Sequence, residues 1–150
     1  MKGKLSWPIF WALVGVFIVV VCLFLIPAFR DLLRGSLLFL SPFIVFFLLG
    51  GALIFFTVKE KVGGMPKKFL LLTGASAVGF LVFVFLHNAI YALFIYFFGA
   101  EFWNGGDEPV FFIMAIFVCP LGFLVGAVGS IILAIKKLRQ QNKTAGTATL

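Results

Sequence analysis

Four long stretches of this chain contain no charged residue: 5–29, 35–58, 69–100 and 109–135, with 25, 24, 32 and 27 residues. A helix crosses a hydrocarbon core of about 30 Å with roughly 20 apolar residues, so each stretch is long enough. Lipid offers no hydrogen-bond partner to a peptide group, and a helix satisfies its own. Barrel strands alternate apolar and polar residues over about ten positions, whereas these stretches are apolar throughout. The pattern predicts an all-α integral membrane protein with four transmembrane helices in an antiparallel bundle. The expected spans are 7–27, 36–58, 69–98 and 110–135 of a single domain covering 1–139, followed by a disordered polar tail, 140–150.

Composition closes the alternatives. Hydrophobic residues make up 63% of the chain and charged residues 11%, against about 45–50% and 25% in a soluble domain. A 150-residue chain cannot hide that much apolar surface in one core. Disorder requires the opposite composition. The first span follows Lys2 and Lys4, as a signal peptide would. Its apolar run is longer than a signal sequence's h-region and no small-x-small cleavage site follows it, so the helix is expected to be retained.

The basic residues set the expected orientation. With the N-terminus in the cytoplasm, the inner segments hold Lys2, Lys4, Lys59, Lys61, Lys67, Lys68, Lys136, Lys137, Arg139 and Lys143, ten of the twelve Lys and Arg. The outer loops keep Arg30 and Arg34, beside Asp31, Glu101, Asp107 and Glu108. Short cytoplasmic loops are the Lys- and Arg-rich ones, so both termini are expected inside, with the plasma membrane as the location. Trp7 and Trp11 at one end of the first span, and Tyr91, Tyr96 and Trp103 at the far end of the third, fit headgroup-level belts. The net charge of +7 then needs no nucleic acid to explain it. Membrane lipids are the expected partners, with anionic headgroups drawn to the basic rim.

Within the spans the polar residues are few. His87, Asn88 and Tyr91 sit at i, i+1 and i+4 and share a helix surface, the one candidate polar cluster. An intramembrane ionisable residue is a functional candidate, set against the simpler reading of a neutral histidine bonded to a nearby carbonyl. Three acidic residues in the last outer loop, Glu101, Asp107 and Glu108, face the two outer arginines, which predicts pairing between the loops. Pro120, inside the fourth span, removes a backbone hydrogen bond and is expected to kink it. Cys22 and Cys119 both lie inside spans and read as inert thiols. No catalytic motif, metal-ligand set or cofactor fingerprint is present, and no enzymatic activity is expected.

Small residues supply the packing signal. Gly122, Gly126, Ser130 and Ala134 recur every four residues along the fourth span, with Gly129 near the same face. Such a stripe lets another backbone approach closely, either a neighbouring helix or a second chain. Ala75 and Gly79, beside Thr73, Gly74, Ser76 and Ala77, form a shorter version on the third span, expected at similar depth. Ser41-Pro42, Gly51 and Lys59 can be laid on Cys119-Pro120, Gly129 and Lys137 at a constant offset of 78, a hint of two duplicated hairpins. The expected role is a non-catalytic structural or accessory subunit, or a self-associating membrane protein. The alternative is a small transporter or channel for a neutral or apolar solute. A third reading, a membrane enzyme or lipid-binding protein, would use His87 and the outer loop.

Overall fold

The computed structural model describes residues 4–28 and 37–147. Its described elements are all helical: α1 (Ser6–Leu25), a 3-10 turn (Leu37–Phe39), α2 (Ser41–Lys59), α3 (Gly64–Phe98), α4 (Pro109–Ile113), a π-helical stretch (Met114–Val118) and α5 (Cys119–Thr147). The last three run on into one another as a fourth span. Four helical columns are thus long and apolar enough to cross a membrane.

Local chemistry sets the boundaries. Pro42 stands in the first turn of α2, where its missing N–H costs nothing and its φ is already helical. α2 ends with Lys61 in the left-handed region at φ 50°. Val62 N–H bonds to Thr57 O and Lys61 N–H to Val58 O, the pair of bonds that closes a Schellman motif. A lysine, and not a glycine, holds this left-handed position. α3 begins at Gly64, five residues before the expected Phe69, because Pro66 fits a first helical turn and Lys67 and Lys68 are good helix formers. Its 35 residues make a rod of about 52 Å. α5 runs on to Thr147, through the segment expected to be a structureless tail from Gln140. Lys, Arg and Gln are helix formers too, and a helix already started extends cheaply.

Pro120 acts differently from a simple kink. Its ring has no N–H for the carbonyl of Ile116 and crowds it. The turn before it opens to π geometry, in which Cys119 N–H reaches Met114 O. Such a bulge absorbs a helix defect without breaking the column.

α3 is the centre of the packing, with α2 on one side and α5 on the other. On the α2 side, a Cβ added at Gly50 would stand 2.8 Å from Ala77 Cβ and 3.0 Å from Gly74 O. On the α5 side, Gly122 lies under Ser76, Gly126 under Thr73 and Gly129 under the ring of Phe69. Numbers rise along one helix as they fall along the other. Both contacts rely on the absence of a side chain, which lets backbones touch where lipid supplies no hydrophobic drive to bring helices together. Gly79 also faces the fourth span, at Cys119 Sγ. Ala75 is exposed, so the small-residue face of α3 is Thr73, Gly74, Ser76 and Ala77 rather than the Ala75–Gly79 row. The offset of 78 is not matched by role: Gly51 has open space where Gly129 is pressed by Phe69, and Pro42 starts a helix where Pro120 lies within a span.

α1 packs on α2, and its backbone makes little contact with α5. Aromatic rings bridge the gap. Phe17 of α1 stacks on Phe123 of α5 at 4.2 Å, and Phe46 of α2 touches both, at 6.0 and 5.4 Å. Phe80 of α3 completes the layer against Phe43 and Phe46. Much of the phenylalanine content therefore serves interhelical contact, with ring pairs that add to their buried area.

At one end of the bundle, the start of α1 is held by a residue 54 positions away. The Glu60 carboxylate accepts from Leu5 N at 2.7 Å, Ser6 N at 3.1 Å and Ser6 Oγ at 2.5 Å. It satisfies amide donors that a helix start leaves free and places negative charge on the positive end of the dipole. The Ser6 hydroxyl first, and the Leu5 amide next, hold the Glu60 carboxyl below its ordinary value; burial opposes them, and the Ser6 amide adds a smaller share in their favour. A lowered folded pKa means the unfolded chain binds the proton more readily. The stabilisation is therefore complete above the ordinary glutamate value and lost as pH falls through the lowered one. Thermal unfolding followed between about pH 6 and pH 3 should show wild type losing stability faster than Glu60→Gln, with the two curves converging at the acid end. Parallel curves would mean that the carboxylate does not hold α1.

Candidate functional site

The other end of the bundle gathers the polar residues. His87 lies on α3 and is half-buried. The loop after α3 turns back through Gly99 at φ 91° and Asn104 at φ 48°, with Trp103 stacked on Tyr91 at 5.9 Å and its indole N–H donating to Tyr91 O at 3.3 Å. This return carries Asp107 and Glu108 onto His87.

Glu108 is buried and begins the fourth span. Its carboxylate accepts from Val110 N at 2.7 Å and Phe111 N at 2.9 Å, an N-cap with Pro109 in the first turn. The backbone N–H of Glu108 donates to Asp107 Oδ1 at 2.8 Å. His87 Nδ1 lies 3.0 Å from Glu108 O and 3.4 Å from Glu108 Oε2, and its Nε2 lies 3.4 Å from Asp107 Oδ2. A carbonyl oxygen only accepts, so Nδ1 is the donor in that contact. The other nitrogen faces a carboxylate that is 60% exposed. The histidine thus locks α3, well before its last residue Phe98, to the start of the fourth span, with one open carboxylate beside it.

The expected polar cluster divides. Asn88 turns back on its own helix, donating to Val84 O at 2.8 Å, and Tyr91 faces Trp103. Only His87 takes up the acidic loop. Arg30 and Arg34, expected to pair with that loop, lie outside the described residues. Among the described residues the ionisable partner of Asp107 and Glu108 is His87, and Glu101 is exposed. By sequence the histidine reads as an isolated intramembrane group, and the two arginines are the formal cations of the outer loops. The signal was available in the 21-residue separation, which a long helix and a short return loop close.

Two apolar cavities lie between the helices, and one of them reaches this joint. One, of about 310 Å³, is walled by residues including Phe17, Phe46, Cys119 and Phe123. The other, of about 360 Å³, reaches His87 and Asn88. Phe24, Phe80 and Ile116 line both, so the π-helical stretch, through Ile116, contributes to each wall. The groups joined at His87 include no serine, threonine or cysteine nucleophile. Among the described residues no three His, Cys, Asp or Glu stand in an arrangement that could hold a metal ion. The geometry suits fastening, or holding the polar end of a mostly apolar molecule.

The packing stripe divides as well. Gly122 and Gly126 lie against α3, Ser130 is fully buried with an unpartnered Oγ, and Ala134 is half-buried on the wall of a separate cleft facing α1. No protein-family model matches the chain, and neither a curated protein nor a solved structure shows significant similarity to it.

Proposed function

We propose that the chain is a non-catalytic multi-pass protein of the plasma membrane, an antiparallel four-helix bundle with both termini in the cytoplasm. It serves as a structural or accessory subunit that associates laterally with itself or another membrane protein. The observation that carries this reading is how the polar groups of the spans are used. Thr73 Oγ1 and Asn88 Nδ2 donate to carbonyls of their own helix, Thr57 and Ser130 are sealed between helices, and His87 is fastened at one end. None of them opens a polar path through the bundle, and intramembrane charge, the usual mark of ion pathways, is missing from the sequence of the spans. The glycines of the small-residue stripe rest on α3 and are taken up by internal packing. The opposite side of the fourth span presents Val118, Leu121, Val125, Val128 and Ile132 outward. Their spacing of three and four matches the ridge that fits a neighbouring helix.

Single-molecule photobleaching of the tagged chain in nanodiscs cut from native membrane tests this. Two or more copies per disc, or one copy held in a larger complex of fixed composition, is the expected result. A lone chain in every disc, with saturable uptake of a neutral solute by proteoliposomes, would overturn it. The pair of apolar cavities favours that second reading, a carrier for an apolar solute.

A further inference from the structure

The Glu60 end of the bundle carries a second cleft, of about 410 Å³, between the start of α1, the α2–α3 loop and α5. We infer that it is a binding site for one anionic phospholipid, its phosphate on Lys137 at the level of Trp7 and Trp11. Its lipid chains would run along the seam between α1 and α5.

Charge comes first. Lys137 is part of the cleft wall. Lys4, Lys61, Lys67, Lys68, Lys136 and Arg139 belong to the same end of the bundle by their positions at the helix termini. The one described carboxylate at that end is Glu60, and both its oxygens are engaged by Leu5 and Ser6. Glu60 stays ionised, so among the described residues this end sets those seven cations against a single negative charge. An anion is the complement of this surface.

The walls then select among anions. Trp7 and Trp11 pack edge-on against Phe10 at 5.6 and 5.4 Å. Their amphipathic rings belong at the boundary between headgroup and hydrocarbon. Val62, Pro66, Leu133 and Leu138 complete a mostly apolar lining, which a free phosphate would leave unused and a lipid's glycerol and first methylenes would cover. The cleft volume lies within the usual range of about 300–1,000 Å³ for small-molecule sites. Backbone contact between α1 and α5 is sparse beyond it, and the Phe17–Phe123 stack closes the seam deeper in the bundle, so a lipid chain would leave the cleft towards the bilayer before that stack.

Native mass spectrometry of the full chain, released from a mild detergent and loaded with equal phosphatidylglycerol and phosphatidylcholine, tests the site. Wild type should retain one phosphatidylglycerol in preference to phosphatidylcholine by roughly fivefold, the effect of one lysine at an anionic surface. Lys137→Gln should abolish that preference, and Arg139→Gln, outside the cleft, should leave it within about twofold. Ala134→Trp keeps every charge but fills the cleft, and should lose the bound lipid. Four results each overturn the inference: equal retention of the two lipids by wild type, an unchanged preference in Lys137→Gln, retention by Ala134→Trp, or displacement of the lipid by inorganic phosphate. A lipid-free dimer that buries the cleft would overturn it too.

Discussion

Gly126→Leu should prevent the bundle from packing, and Gly126→Ala should lower its stability by about 1–3 kcal/mol, the usual cost of overfilling a tight core. A Cβ at this position would stand 2.5 Å from Thr73 Oγ1, 2.8 Å from Thr73 N and 3.0 Å from Phe69 O. Two of those three atoms are backbone, which cannot swing aside as a side-chain tip can. The helices must separate, and the dispersion contacts along the α3–α5 interface weaken together. The small-residue stripe alone predicts that alanine is far milder than leucine here. The contact with backbone atoms removes that tolerance at Gly126.

Two comparisons isolate the effect. Gly51, on α2, has nothing within 4 Å of a built Cβ. Gly51→Ala should therefore be neutral, or stabilising by up to about 1 kcal/mol through helix propensity. Leu124→Ala, at an exposed position of α5, should change little. Thermal unfolding in one detergent or one nanodisc lipid makes all of these comparable. Wild-type melting of Gly126→Leu would show that α5 does not rest on Thr73.

Charge-free runs foretold four helices because a bilayer punishes charge and unpaired backbone groups whatever the rest of the sequence does. The α3–α5 contact was partly legible too, since glycines at four-residue spacing have no other common use in an apolar helix. The α2–α3 crossing was not. Gly50 and Gly51 are adjacent, and nothing local says that Gly50 meets Gly74 and Ala77 while Gly51 faces open space. The rotation of α2 is set by Phe43, Phe46 and Leu53, which are buried together with Gly50 on one face.

Contacts across long separations were the least legible. Glu60 reads as one more charge in a basic loop, yet it caps α1 from 54 residues away. His87 reads as a lone intramembrane histidine, yet a return loop built on Gly99 and Asn104 delivers two carboxylates to it. Proline 120 announces a missing hydrogen bond but not its remedy. A kink, a break or a π turn each solves that problem, and the choice depends on the neighbouring column. Here Gly79 of α3 meets Cys119 Sγ, a contact in the turn beside the proline.

Orientation in the membrane decides whether the basic end and the His87 end occupy the compartments proposed for them. Cysteine labelling in intact cells, with Cys22 and Cys119 replaced by alanine, measures it directly. Gly63 is exposed in the α2–α3 loop with an ordinary φ of −109°, so a cysteine fits there without strain. Glu101 is exposed in the loop at the opposite end. Ten of the twelve basic residues fall on the Gly63 side by sequence, and short Lys- and Arg-rich loops stay in the cytoplasm. A membrane-impermeant maleimide should therefore label Glu101→Cys in intact cells and leave Gly63→Cys and Lys143→Cys unlabelled until the membrane is opened. External labelling of Gly63→Cys with protection of Glu101→Cys would invert the bundle, and labelling of both in intact cells would contradict a four-span arrangement altogether.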